Sequence, residues 1–237
     1  MFVSKGQLIM DGKKSYDDFN FNITNLEIGA PAPILNFETV PYHQGIYDFT
    51  KAGDTQFSSR IIKIEFELNE YNASSEKLNY IYFKFMNWLY SRQEMIQFSI
   101  SYIDGTYEGR VTDISDFTLF QDTQKITVTF TCQPFRTMCN EASGLWDDLD
   151  FDSSYIQDYN FKINSRQYKK INLYCCNTAT TFVNVKVYGT VTIKANNNSF
   201  ELKAGTYKNN IILKNGMNTI YLRGFGRVEF YWDRKVI

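Results

Sequence analysis

Residues 60–68 read R-I-I-K-I-E-F-E-L, an alternation of apolar and charged side chains with a period of two. Successive side chains of a β-strand point to opposite faces, so this pattern predicts a strand with one buried face and one solvated face. The same alternation recurs at 96–102, 107–111 and 126–132. Because each such strand has to pair with others to satisfy its backbone, the sequence predicts a mainly β protein.

One segment departs from this pattern and has apolar residues at helical spacing. Ser74 or Ser75 offers an N-cap, and no Gly or Pro interrupts the segment from Glu76 to about Ser91. The apolar stripe would pack on the sheet. The sequence therefore predicts one substantial helix whose buried face carries Leu78, Ile81, Tyr82, Phe85, Trp88 and Leu89.

Turn residues predict how the strands of the first half connect. Asp104-Gly105 separates two alternating runs, a strong hairpin signal because Gly tolerates a positive φ. Phe117 and Leu119 are interpreted as part of another strand, which would turn at residues 121–124 into the run that ends before Pro134.

The pattern changes between residues 136 and 165, so we place a domain boundary near 136–140. Beyond it the sequence predicts only short strands, with Gly224-Phe225-Gly226 as a turn between two of them. Short strands separated by turn residues are typical of a sandwich or jelly roll. The predicted architecture is an N-terminal sheet domain with one packed helix (1–137) and a C-terminal all-β sandwich (138–237). The predicted C-terminal strands are 171–175, 181–188, 190–195, 199–203, 208–214, 217–222 and 226–232.

Charge and hydropathy limit the classes of partner. The chain has 25 basic and 26 acidic residues and a net charge of −1, without an evident cluster of Lys and Arg along the sequence. Nucleic-acid binding depends on such clusters, so no direct nucleic-acid binding is expected. No run reaches transmembrane length, and the first residues lack the apolar core of a signal peptide. We expect a protein of the cytoplasm that does not enter a membrane.

No motif predicts a metal, a cofactor or an enzymatic reaction. Cys175 and Cys176 would point to opposite faces of a strand, and His43 is the only histidine. The aspartates at 148, 150 and 152 resemble the start of a calcium loop, but Ser153 and Tyr159 stand where that loop needs Gly and Glu. The sequence contains no G-x-S-x-G motif, no H-E-x-x-H motif and no phosphate-binding glycine loop. Trp88 and Trp232 are assigned to the core, which leaves Trp146 as the candidate for an exposed contact.

Four stretches, in order, resemble the distal tail protein family of phages and prophages that infect Gram-positive bacteria. They are V-P-Y-H-Q-G (40–45) leading to the strand at 60–68, the helix with Trp88-Leu89 before the Asp104-Gly105 hairpin, T-F-T-C-Q-P-F (129–135), and L-K-N-G-M-N-T-I (213–220). The loop departs from the family pattern, since relatives often carry a more basic stretch before the glycine at position 45.

This resemblance implies a structural protein of the virion tail tip, assembled in the host bacterial cytoplasm, and not an enzyme. The N-terminal domain would form a hexameric ring at the end of the tail tube, and the C-terminal domain would be galectin-like. Implied partners are the major tail tube protein, a tail-associated fibre or lysin, and in some cases receptor-binding proteins. The loop suggests Tyr42, His43, Gln44 and Tyr47 as interface residues.

Two other functions stay open. The C-terminal sandwich could be a carbohydrate-binding module for cell-wall sugars, although the His-x-Asn-x-Arg pattern of galectins is absent. A metal-dependent hydrolase is the weaker alternative.

Overall fold

The computed structural model describes residues 6–39, 41–42, 44–50, 56–70, 74–92, 94–138, 157–178, 180–196 and 198–237. The chain divides into two compact units. The first comprises Met1–Ile34, Phe57–Arg136 and the terminal Ile237, and the second comprises Leu35–Gln56 and Thr137–Val236. The segment Leu35–Gln56 thus groups with the second unit, although it precedes the boundary expected near 136–140.

The first unit is built on an antiparallel sheet with the strand order β2-β1-β7-β8-β9-β6-β3. Strand β6 pairs with β3 on one side and β9 on the other, so it lies inside the sheet. Its apolar residues are buried, from Ile62 to Leu68 in alternation, as the sequence predicts. The strands are β1 (Leu8–Met10), β2 (Lys13–Lys14), β3 (Phe21–Ile28), β6 (Arg60–Leu68), β7 (Ile96–Ile100), β8 (Ile103–Ile114) and β9 (Lys125–Cys132).

The predicted helix is confirmed as α1 (Ser75–Leu89). Ser74 is its N-cap, and the Ser74 hydroxyl accepts a hydrogen bond from the Lys77 backbone N–H at 3.4 Å. The helix buries Leu78, Tyr82, Phe85, Trp88 and Leu89, while Ile81 is half-buried. The Phe85 ring lies 4.2 Å from that of Phe21 and 5.3 Å from that of Phe66, measured between centroids. The apolar stripe therefore packs on β3 and β6.

The first predicted hairpin forms, but its turn lies elsewhere. Ile100 of β7 pairs with Ile103 of β8, so the chain turns at Ser101-Tyr102. Asp104 and Gly105 lie inside β8, where the register shifts, and Gly105 has a φ of 88°. Gly105 thus adopts a positive φ at an irregularity within β8 and not in a turn.

The predicted strand at Phe117 and Leu119 is wrong, because Phe117–Thr123 forms the helix α2. Phe120 is fully buried and its ring lies 5.5 Å from that of Tyr82, whereas Leu119 is exposed. Phe117 and Phe120 are three residues apart, a spacing that places both against α1 in a helix but on opposite faces in a strand. This segment is too short for its sequence periodicity to distinguish a helix from a strand. Packing against α1 therefore decides its conformation.

The second unit contains a five-stranded antiparallel sheet in which the order β11-β15-β12-β13 is joined by β14, paired with β12. The strands are β11 (Asn160–Cys175), β12 (Thr181–Ala195), β13 (Asn198–Leu202), β14 (Gly205–Leu213) and β15 (Gly216–Tyr231). Two pairs of short strands complete the description: β4 (Phe37–Glu38) with β5 (Tyr47–Asp48), and β10 (Arg136–Met138) with β16 (Arg234–Val236).

Several predicted short strands are joined in the structure. Residues 181–195 form one strand, and so do residues 216–231, so Gly224-Phe225-Gly226 is not a turn. The first half of β12 pairs with β14 and its second half with β13. Inward side chains of both halves, such as Val185 and Ile193, belong to one core. The two halves therefore pack as layers, and the mainly β fold class is confirmed.

Candidate assembly surface

The loop that supplied the predicted interface residues is a short hairpin formed by β4 and β5. Phe37 pairs with Asp48, and Glu38 pairs with Tyr47. The Phe49 N–H donates to the Asn36 carbonyl at 2.8 Å, and the Asn36 N–H donates to the Thr50 hydroxyl at 2.9 Å. These bonds extend the hairpin by one residue on each side.

The Asp48 side chain forms a hydrogen bond where the chain leaves this hairpin. Its carboxylate accepts a hydrogen bond from the Thr50 backbone N–H at 2.8 Å, an Asx-type local contact. Hydrogen bonds from Thr50 hold the pKa of Asp48 below its ordinary value, because they stabilise the ionised carboxylate. The Asp48 carboxylate thus accepts a local hydrogen bond at the end of the hairpin.

Apolar and aromatic side chains cover this hairpin and are exposed to solvent. They are Leu35, Phe37, Tyr42, Ile46, Tyr47 and Phe49, which we call the hairpin surface. Tyr42 is fully exposed and has a φ of 66°, and Gly45 follows with a φ of 107°. The Tyr47 and Phe49 rings are 6.4 Å apart. Exposed apolar groups concentrated on one small element are characteristic of an interaction surface.

The structure brings three of the four predicted interface residues onto this element. Tyr42 and Gln44 lie between the two strands, and Tyr47 lies in β5. His43 lies outside the described residues. The sequence prediction did not include Leu35, Phe37, Ile46 and Phe49, which the pairing of β4 with β5 groups with the two tyrosines.

The residues that favoured other functions are either buried or outside the described part of the chain. Trp88 and Trp232 are buried at 4% and 3% exposure, so their rings are not free to stack on sugars. Trp146 and the aspartates at 148, 150 and 152 lie outside the described residues. Within the described ranges, no three His, Cys, Asp or Glu side chains are grouped as metal ligands.

None of the three described cysteines forms a disulfide. Cys132 and Cys175 are buried and Cys176 is half-buried. Burial raises the pKa of the Cys132 thiol to about 12, although the nearby Arg60 opposes this change. Such a thiol is protonated at neutral pH and is a poor nucleophile.

Two pockets lined by described residues are small. One of about 220 Å³ lies beside Leu89, Tyr90 and Arg110, and one of about 190 Å³ lies beside Thr181, Asn184 and Asp233. Both fall below the range of about 300–1,000 Å³ that is usual for small-molecule sites. Neither described helix has the length and hydropathy that a membrane span requires.

The fold matches a solved phage protein along its whole length. The SPP1 Dit protein, described as a paradigm of the hub adsorption apparatus in Gram-positive infecting phages, superposes with a TM-score of 0.64. The match covers 98% of this chain and 99% of that chain, at 12% sequence identity. This chain has the fold of the SPP1 Dit protein. At such low identity the likeness establishes the fold and leaves the function to be argued.

Two further structural matches are weaker and carry no argument. The phage P2 baseplate in its activated conformation with Ca matches at a TM-score of 0.45 and 10% identity, over 98% of each chain. The same baseplate with Sr matches at 0.44 and 9% identity, again over 98% of each chain. No family model and no curated protein matches the sequence.

Proposed function

We propose that this protein is a structural hub of a phage tail tip, which forms a sixfold ring between the tail tube and the adsorption apparatus. The observation that carries the proposal is the end-to-end match to the SPP1 Dit protein, over 98% and 99% of the two chains. A match of this extent includes both compact units in the same order, and not a single common sheet. The role that we propose for the protein is assembly and not catalysis.

The hairpin surface supports a role in assembly. A closed ring needs two different, complementary patches on each subunit, because its contacts are head-to-tail. Phe37, Tyr42 and Phe49 are exposed in the single chain and would be desolvated against a neighbour. Full burial of a side chain such as Phe contributes about 1.5–3 kcal/mol, so burying a few of them would supply much of the favourable free energy of an interface.

The two parts of the chain would have different partners. Residues 1–137 would form the ring, and residues 138–237 would form the galectin-like part outside it. The ring would contact the major tail tube protein, and the tip side would contact a tail-associated fibre or lysin and, in some phages, receptor-binding proteins. Assembly would take place in the host bacterial cytoplasm, and the protein would end in the virion tail tip.

Electron microscopy of purified protein tests the ring directly. Concentrated protein, alone and mixed with its tube protein, is imaged and classified by symmetry, and particle mass is measured by light scattering. We expect sixfold rings under at least one condition. If the interface between subunits buries less than about 1,000 Å², the rings would need the tube protein to stabilise them. Monomers or twofold dimers under both conditions would overturn the proposal.

A further inference from the structure

Arg60 is a buried cation in the first unit. It is the first residue of β6 and belongs to the same buried row as Ile62 and Ile64, which face the core. Only 4% of its surface is exposed, although arginine is almost never fully buried unless it is paired. Such burial is unfavourable for folding, because a cation that is removed from water needs an anion to compensate its charge.

The adjacent strands place uncharged residues beside Arg60. Cys132 lies opposite it on β9, and Gly109 lies opposite Cys132 on β8. Gly109 leaves room for the Cys132 sulfur, since a Cβ there would lie 2.5 Å from that atom. The centre of the Tyr107 ring is 5.7 Å from the guanidinium carbon, near the limit of about 6 Å for a cation–π contact. These neighbours bury Arg60 without supplying a negative charge.

No counter-ion for Arg60 is present among the described residues. The ion pairs in that part of the chain all involve other cations. The Nε atom of Arg60 is buried there without a hydrogen-bond partner. A guanidinium carries five N–H donors in a planar fork that matches the two oxygens of a carboxylate. Arg60 thus presents an anion-binding group whose charge no described residue compensates.

The hairpin of β4 and β5 carries the complementary charge. Its described residues include two carboxylates, Glu38 and Asp48, and no Lys or Arg. Glu38 is exposed and pairs with Tyr47, so the two side chains lie on the same face of the hairpin. Phe49 is two residues beyond Tyr47, and its ring lies 6.4 Å away on that face. Glu38 therefore lies beside two exposed aromatic rings that would exclude water from a contact.

Glu38 is better suited to Arg60 than Asp48 is. The Asp48 carboxylate already accepts a hydrogen bond from the Thr50 backbone N–H. Asp48 also alternates with Tyr47 along β5, so its side chain points to the other face of the hairpin. The Glu38 carboxylate has no hydrogen bond or ion pair with a described residue. Its side chain is longer by one methylene group, which favours contact with a guanidinium that is almost completely buried.

We propose that Glu38 of one copy of this chain forms an ion pair with Arg60 of the neighbouring copy in the ring. The inference rests on the proposed ring and names its two complementary patches: the hairpin face around Glu38 and the end of β6 at Arg60. A head-to-tail ring requires two different patches of this kind on each subunit. Assembly, and not the folding of a single chain, would then supply the counter-ion of the buried cation.

Thermal melts of dilute, unassembled protein test whether Arg60 lacks a counter-ion in the single chain. Arg60→Met keeps an apolar stem and removes the charge, and Arg110→Met removes an exposed arginine of β8 as the control. We expect Arg60→Met to melt at or above the temperature of the parent protein, since even a paired buried charge can be replaced by apolar side chains without loss of stability. A melting temperature more than about 5 °C below that of Arg110→Met would show that the charge is compensated within the chain, which overturns the proposal.

A double-mutant cycle on ring assembly tests the pair itself. The variants are Arg60→Met, Glu38→Gln and the two combined, with Glu201→Gln as the control, because Glu201 is another exposed carboxylate of the second unit. Light scattering measures the concentration at which half of the protein is in rings, with tube protein present if the parent protein needs it. We expect each single substitution to raise this concentration about tenfold or more. The double variant should assemble like Arg60→Met alone, and the control like the parent protein.

The other outcomes separate this pair from the proposed hub. Additive effects of the two substitutions would show that Glu38 and Arg60 do not meet. If Arg60→Met formed rings like the parent protein but no longer bound the tube protein, the counter-ion would belong to the tube protein and the pair would be wrong. Unchanged rings in every variant refute this inference and leave the hub intact. A parent protein that forms no rings, alone or with tube protein, refutes the hub and this pair together.

Discussion

Gly189 lies opposite Gly226 in the ladder between β12 and β15, at the point where β12 passes from pairing with β14 to pairing with β13. Gly189 has a φ of 116°, and a Cβ there would overlap the Phe225 carbonyl oxygen. Only glycine combines this φ with such a close approach of two backbones. The pair therefore permits one long strand to serve both halves of the second unit.

Replacing Gly189 with Ala should destabilise the protein substantially. The added methyl group meets backbone that cannot move without disrupting the ladder, and the positive φ adds about 1–2 kcal/mol of strain. We expect a loss of more than about 2 kcal/mol in the free energy of unfolding, measured by urea denaturation. Gly216→Ala is the control, because Gly216 also has a positive φ but has open space around its Cβ position. Equal effects of the two changes would show that the close approach is unimportant.

Phe85→Ala should produce the largest loss of stability among substitutions in α1. Its ring is fully buried and contacts the rings of Phe21, Phe66 and Trp88. Removing it leaves a cavity and costs about 3–5 kcal/mol. Phe83→Ala, two residues earlier in the helix and mostly exposed, should cost much less, and Lys84→Ala should cost little. Similar midpoints for Phe85→Ala and Phe83→Ala in thermal melts would contradict the assigned buried face.

Glu65 should contribute to stability at neutral pH and lose that contribution in acid. Hydrogen bonds from Lys125, at 2.9 Å, and from Thr24, at 2.8 Å, lower the pKa of Glu65. A carboxyl group whose pKa is lowered by folding stabilises the folded state above its ordinary pKa of 4.5, and the effect disappears as the pH falls through the folded value. Glu65→Gln should therefore lower the melting temperature slightly at pH 7, with a difference that vanishes in acid. Glu27→Gln, on the neighbouring strand β3, serves as the control, and a pH-independent difference for Glu65→Gln would exclude the ionised carboxylate as the cause.

Cys132 should resist alkylation in the folded protein. With a pKa of about 12 in place of 9.0, its thiolate fraction at pH 8 is about a thousandfold lower, and its sulfur is also buried. We expect iodoacetamide to modify the half-buried Cys176 before Cys132, as read by peptide mass spectrometry. Both should react in urea. Rapid modification of Cys132 in the native protein would show that β9 opens locally.

The hairpin surface should be required for the ring and not for the fold. The double variant Phe37→Ser, Phe49→Ser removes two exposed rings, so its melting temperature should match that of the parent protein. Its rings should be lost in electron micrographs taken under conditions where the parent protein forms them. Tyr80→Ser with Leu119→Ser removes two exposed apolar side chains elsewhere and should leave rings intact. Intact rings in the hairpin variant would place the subunit interface elsewhere.

The sequence alone determined the elements whose pattern is long and regular. The alternation at Arg60–Leu68 was sufficient for β6, because a period of two over nine residues has no helical interpretation. The stripe from Leu78 to Leu89, with an N-cap in front of it, was sufficient for α1. The burial of Trp88 and Trp232 followed from the faces on which they lie. These predictions depend only on local periodicity.

Tertiary structure decided what local pattern left ambiguous. Phe117–Thr123 is helical because Phe120 packs on Tyr82, a contact across 38 positions of the chain. Gly224 and Gly226 lie inside β15, and the chain does not turn there. They are glycines because the backbone of β12 passes too close to leave room for a Cβ. Both contacts depend on residues far apart in the sequence, which a period of two residues does not encode.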